Sequence, residues 1–406
     1  MLWRLPRGGR RTDLRGDFFG EIRPVNRVDY GKTVFDLMKK VSILSLYGVI
    51  TCVLLICPAF SSGQEAIPLN DVALFVAGIP VGGGSALSRL QENQSVREYQ
   101  KQCRELSEKW EKTRLSKIRK WATEEIHPKI QEPSVVKYMF SGPDFVHVAT
   151  LFPGFREYIL CGLEPLGTVP DLLRKNPGEL ASYLSRLNYT LRSISKRSFF
   201  ITKEMREDFG PEGIDGVYPV LLYFAAMTGH ETLSSRYIKL NPSGELVEAD
   251  SAGADGIVIQ LRERESYPDS PGGQNLYYFK WDLSNEGFQA GGPFTKFLER
   301  RPGGVGYAKA ASFLMHTEGF SNIRNFLVGN CRYFLEDASG IPASFLARYF
   351  RLTYYGNYTQ PIDMFSEYDQ PGLRAIYRSG IAKPLPFGTG YRYTDKDSIQ
   401  IFGVHK

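Results

Sequence analysis

Cysteine and histidine are scarce in this 406-residue sequence, with five of each. Cys52 and Cys57 belong to an apolar N-terminal run, leaving Cys103, Cys161 and Cys331 in the body of the chain with no CxxC spacing. That set encodes neither a disulfide framework nor a zinc site, and the three thiols are expected to be buried small hydrophobes. Excess charge is also lacking. Residues 1–63 hold 10 Lys and Arg against 5 Asp and Glu, and the remainder holds 40 against 39, so the net charge of +6 comes mostly from the N-terminus. A near-neutral body argues against a nucleic-acid partner.

Intact catalytic and cofactor motifs are missing as well: there is no GxSxG, HExxH, EF-hand loop, dinucleotide fingerprint or kinase set. His230-Glu231 has no second histidine at zinc-ligand spacing. Gly78, Gly83 and Ser85 fall at phosphate-loop spacing, but Gly84 stands where the loop needs lysine. Ser134–Lys137 and Ser193–Lys196 match S-x-x-K without the downstream K-T-G that would give the pair meaning. No cofactor or metal is implied.

Apolar residues make up 42% of the chain and charged residues 23%, the proportions of an ordinary globular protein with a substantial core. The most specific feature is Met38-Lys39-Lys40, followed by the apolar run Val41 to Phe60 and then Ser61-Ser62-Gly63-Gln64. A basic start, an apolar centre and small residues before a polar one form a secretory signal peptide over 38–63, with cleavage near Gly63. Residues 1–37 then read as an upstream extension. If the segment stays uncleaved it becomes a membrane anchor, the chain's sole expected membrane contact. A lipoprotein is disfavoured, since Ile56 precedes Cys57.

Beyond the signal, the stripe Tyr99, Cys103, Leu106 and Trp110 predicts a helix over 94–125 with an irregularity after Trp110. Strands are expected at Val135 to Phe140 and at Glu157 to Cys161, either antiparallel or joined by a tight crossover. Helices follow at Asn176 to Phe200 and Gly216 to His230. A meander of hairpins spans 232–282. Helix is read again over Tyr307 to Thr317 and Phe320 to Val328, then a strand at 332, and the tail past Arg351 reads as short aromatic strands. The predicted fold class is α/β or α+β, a mixed sheet flanked by helices. Two related halves, 64–240 and 241–406, are expected from a degenerate internal repeat, or else one single domain.

The repeat rests on apolar runs that end in Gly, Pro and an acid, and on the aromatic run Leu276 to Trp281, which passes into the polar turn Asp282 to Asn285. They supply Asp144, Glu164, Asp282 and Asp337 as candidate catalytic carboxylates, and Ser141, Asn285 and Ser339 as candidate binding groups. Convergent carboxylates can divide acid and base roles when burial raises one pKa and another stays ionised. The bland alternative is that such residues are turn formers and helix caps. His147 and His316 lie nearest the acidic turns.

Tyr138-Met-Phe-Ser-Gly-Pro-Asp-Phe, Gly162-Leu-Glu-Pro-Leu-Gly and Asp337-Ala-Ser-Gly-Ile-Pro resemble segments of a family of uncharacterised exported bacterial proteins, from Val72 to the end. The resemblance implies a bacterial envelope location and carries no activity. The expected function is therefore binding of a small ligand or envelope partner, without catalysis, in the periplasm or outside the cell. A hydrolase acting on envelope or carbohydrate material through the strand-end carboxylates is the alternative, and an envelope scaffold is a third.

Overall fold

The sequence alternates short β-branched or aromatic runs with helical stripes, and the strands they form are β1 (Val135–Tyr138), β2 (Glu157–Gly162), β3 (His230–Leu240), β4 (Leu246–Glu248), β5 (Gly256–Glu263), β6 (Gln274–Lys280), β7 (Val305–Ala308), β8 (Tyr333–Glu336), β9 (Phe350–Gly356) and β10 (Ile399–His405). They join into one ten-stranded mixed sheet in the order β4-β3-β5-β6-β2-β1-β7-β8-β10-β9. The computed structural model describes residues 67–132, 134–197, 209, 213–264, 273–393 and 397–406. All belong to the compact unit Gln64–Lys406. The expected extension 1–37, the expected signal peptide 38–63 and residues 265–272 lie outside the described residues.

The middle of the sheet is parallel: β6, β2, β1, β7 and β8 run the same way. Antiparallel strands finish both sides, with β3, β5 and β6 forming the expected meander and β10 pairing with both β8 and β9. Strands β1, β7 and β8 are buried along their whole length. A parallel strand covered on both faces needs a continuous apolar run rather than alternation, which is the pattern of Val135-Val-Lys-Tyr138. Its one charged residue, Lys137, spends its ammonium on the Gly303 carbonyl at 2.7 Å.

Two helical layers provide that cover. On one face lie α1 (Leu69–Val76), α2 (Gln94–Trp110), α3 (Ser116–Glu125), α4 (Phe145–Leu151), α5 (Pro177–Arg197) and α6 (Tyr218–Met227). On the other lie α7 (Pro293–Glu299), α8 (Ser321–Asn330) and α9 (Ala343–Tyr349). A short α10 (Pro371–Arg378) packs with Tyr358 and Ala343 in a third apolar cluster.

The irregularity after Trp110 has a defined structure. Trp110 and Leu115 are five apart, which would put them on different faces of a regular α-helix. A π-helical turn at Glu111–Leu115 absorbs the extra residue, so Leu115, Ile118 and Trp121 continue the buried stripe.

Two expectations need correction. Tyr307 to Thr317 is not one helix: Val305–Ala308 is the central strand β7, followed by a 3-10 helix at Ala310–His316. The tail contains the helix α10 besides its strands. The strand pair β1–β2, left open above, is a parallel crossover through α4. Cys103, Cys161 and Cys331 are buried free thiols. Among the described residues no helix is long and apolar enough to cross a membrane.

Candidate functional site at the carboxyl edge of the sheet

Strands β1 and β7 are neighbours, Tyr138 opposite Tyr307. From β1 the chain crosses to β2 through α4 on one face, and from β7 it crosses to β8 through α8 on the other. The two connections leave in opposite directions. The carboxyl ends of β1 and β7 therefore border a topological switch point, the place where open α/β sheets leave a crevice for ligands. Backbone strain marks both ends: Phe140 and Ala310, each two residues past its strand, have φ of 60° and 58°. Such left-handed L-residues cost about 1–3 kcal/mol each and cluster at functional sites.

The strand ends deliver a buried polar network. Asp144 stands at the N-cap position of α4, yet its carboxylate makes no cap hydrogen bond. It accepts instead from three side chains: the Tyr138 hydroxyl at 2.9 Å, His147 Nδ1 at 2.6 Å and Lys309 Nζ at 2.7 Å. Asp144, His147 and Lys309 are each at most 2% exposed. Burial acts to raise the Asp144 carboxyl, but the attraction and hydrogen bonds of His147 and Lys309 outweigh it and bring it down to about 2. His147 is pushed below its usual range, first by burial and then by the nearby positive charge of Lys309 and Arg114, against the pull of Asp144. Its Nδ1 lies between the Asp144 carboxylate at 2.6 Å and Lys309 Nζ at 3.2 Å.

On the other side of Lys309 sits Asp337, 5% exposed at the end of β8. It accepts from the Ser339 backbone at 2.9 Å and the Ser339 hydroxyl at 2.5 Å. The Ala310 backbone and the charge of Lys309 also favour its ionised form, yet burial wins and raises its pKa. Two acids flank one ammonium and are pushed in opposite directions. Glu336, the residue before, is raised well above the carboxylate range by burial; its Oε2 accepts the Ile341 N–H at 2.7 Å.

Segment 387–393 crosses over this network. Phe387 anchors it in the core beside Trp121, with ring centroids 5.3 Å apart. The Thr389 N–H donates to Ser398 Oγ at 3.1 Å. Gly390 has φ 55°, and a Cβ there would come 2.1 Å from Asp337 Oδ2 and 3.3 Å from Lys309 Cγ. Only glycine lets the segment lie this close. At the margins two buried polar atoms have no hydrogen-bond partner, Trp110 Nε1 and Gln400 Oε1. Trp110 packs edge-on against His147, centroids 6.1 Å apart. Gln400 precedes Ile401, which is opposite Glu336, so the register sets it beside Asp337.

The other sequence candidates fall elsewhere. Glu164 is buried at the end of β2, where its Oε2 accepts the Tyr278 hydroxyl at 2.8 Å. Ser141 Oγ accepts the Cys161 N–H at 2.9 Å and lies within reach of the Gly142 and Cys161 carbonyls, so it stitches the β1 turn to β2. Asp282 is exposed, and its carboxylate accepts only from Ser284 of its own turn, at 2.9 and 2.7 Å. Asn285 ties that turn to Glu318, Ser321 and Asn322. The structure thus brings together Asp144, Asp337 and Ser339, with His147 from α4. It sends Glu164, Ser141, Asp282 and Asn285 to separate local roles.

Sequence reasoning missed Lys309, Tyr138 and Tyr307. A lysine within Tyr307-Ala-Lys-Ala-Ala-Ser-Phe, an otherwise small or apolar run, was the available signal. No group of three or more His, Cys, Asp or Glu among the described residues could hold a metal ion. No family model matches the chain, and neither the curated proteins nor the solved structures contain a significant match.

Proposed function

We propose that this chain is an exported bacterial protein, periplasmic or secreted, that binds a small ligand at the switch point between β1 and β7 without transforming it. Its place in the exported group that its Ser-Gly-Pro-Asp-Phe, Gly-Leu-Glu-Pro and Ser-Gly-Ile-Pro motifs resemble is part of the same reading. The carrying observation is the pair of orphaned buried atoms beside a saturated ion network: Trp110 Nε1 offers a donor and Gln400 Oε1 an acceptor. Buried polar atoms are normally satisfied, and those that are not call for a partner. A ligand entering beneath segment 387–393 would supply both.

The test is a thermal-shift screen of the full chain against envelope sugars, short peptides and metal ions, repeated with Gln400→Leu and Asp282→Asn. A ligand-dependent rise lost in Gln400→Leu and kept in Asp282→Asn supports the reading. If no compound gives a rise that Gln400→Leu abolishes, the reading is refuted.

One observation favours the hydrolytic alternative. Asp144 is driven down and Asp337 up on either side of Lys309, the separation that assigns base and acid roles in paired-carboxylate enzymes. Release of reducing ends from envelope polysaccharide, abolished by both Asp144→Asn and Asp337→Asn, would replace binding by catalysis. The scaffold reading has less support. The large exposed apolar side chains, such as Tyr189 on α5, Val247 on β4 and Tyr349 on α9, lie on separate elements rather than on one.

A further inference from the structure

Away from the switch point, a cavity of about 400 Å³ opens between α9, β9 and α10. That volume lies within the range of small-molecule sites, about 300–1,000 Å³. Tyr354, Tyr368 and His316 contribute aromatic rings to its lining, the last two with centroids 5.3 Å apart. Ala347 and Ser344 of α9 also line it, and Asp369, exposed to solvent, stands on the rim.

Charge narrows the class of ligand. No lysine or arginine lines the cavity. Asp369 is ion-paired with Arg374, so the rim presents acceptor and donor together with little net charge. Burial holds His316 down to about 4, which leaves its ring neutral near pH 7. An anion meets no unpaired cation here, and an organic ammonium would have to displace Arg374 from its carboxylate. A neutral molecule with one apolar face for the rings and hydroxyls for the rim meets neither penalty.

We propose that this cavity binds a neutral pyranose, its C–H face on Tyr368 and Tyr354 and its hydroxyls on Asp369 and Ser344. None of the residues that line it belongs to the network around Lys309.

Isothermal titration of the full chain with glucose, galactose and N-acetylglucosamine tests this, with choline as the cationic control. At least one sugar is expected to bind with a Kd below about 10 mM, weak but measurable. Ala347→Trp, which fills the cavity, and Tyr368→Ala, which removes a wall, are each expected to weaken it by about tenfold or more. Asp282→Ala should leave it unchanged. Tyr368 is only half-buried, so that variant decides the matter if Ala347→Trp fails to fold. Absence of binding by all three sugars, undiminished binding in a folded Tyr368→Ala protein, or binding of choline in their place overturns the proposal.

Discussion

Asp144 and Asp282 look alike in the sequence and behave oppositely in the fold. Each follows a buried aromatic strand by a few residues, in a turn rich in Gly, Ser or Asn. Asp144 is sealed in with three donors from Tyr138, His147 and Lys309, whereas Asp282 faces solvent and serves only Ser284. The difference comes from sheet order. β1 sits against β7, whose end carries Lys309, while β6 lies between β5 and β2 and has no switch point beside it. The same local code makes a turn cap or an ion network according to what the neighbouring strand delivers.

The largest effect should come from breaking the network on one side. Lys309→Met leaves the Asp144 carboxylate buried without its ammonium, and denaturant unfolding is expected to show a loss of about 3–5 kcal/mol. Adding Asp144→Asn to that variant should recover most of the loss, because no uncompensated charge remains. If the double variant is no better than the single one, the ion pair is not what holds these strand ends together.

A smaller effect sharpens the role of the covering segment. Gly390→Ala puts a methyl against the Asp337 carboxylate, which Ser339 holds in place, and forces alanine into a left-handed conformation. A loss of about 1–3 kcal/mol is expected, with faster amide exchange over 387–393 as the segment lifts. Unchanged exchange would mean that the segment does not depend on this contact. The smallest effect belongs to the comparison turn. Asp282→Ala removes bonds to Ser284 in an exposed loop and should cost less than about 1 kcal/mol. A larger loss would show that the two acidic turns are not as different as their surroundings.

Much of the sheet could be read in advance, because its runs are long or end sharply. Val135 to Tyr138 and Glu157 to Gly162 are mostly apolar stretches followed by Gly and Pro, and the meander from β3 to β6 is punctuated by Asn-Pro-Ser-Gly. Strand β7 escaped because Val305-Gly-Tyr-Ala308 is short, carries a glycine and runs into the helical spacing of the 3-10 segment behind it. Misreading β7 as helix removed Lys309 from view as a strand-end cation. The helix α10 escaped for a similar reason, since Pro371-Gly372 at its start reads as a turn. No local pattern could separate Asp144 from Asp282. The partner that distinguishes them, Lys309 just past β7, lies 162 residues beyond His147, and pairing at that range is set by the whole sheet.

Asp144 and Asp337 are driven apart across Lys309. Asp144, lowered in the fold to about 2, contributes stability that is complete above its unfolded pKa near 3.9 and is lost as pH falls toward 2. Asp337, raised by burial, has the opposite sign and weakens the fold once pH rises above its unfolded pKa. The direct measurement is a carbon NMR titration of aspartate-labelled protein, with each signal assigned by its Asp→Asn variant. The predicted result is an Asp144 carboxyl that stays ionised to about pH 2, while Asp337 takes up its proton above the ordinary aspartate range. If both titrate together near pH 3.9, the value of an unperturbed aspartate, the strand ends hold no ion network.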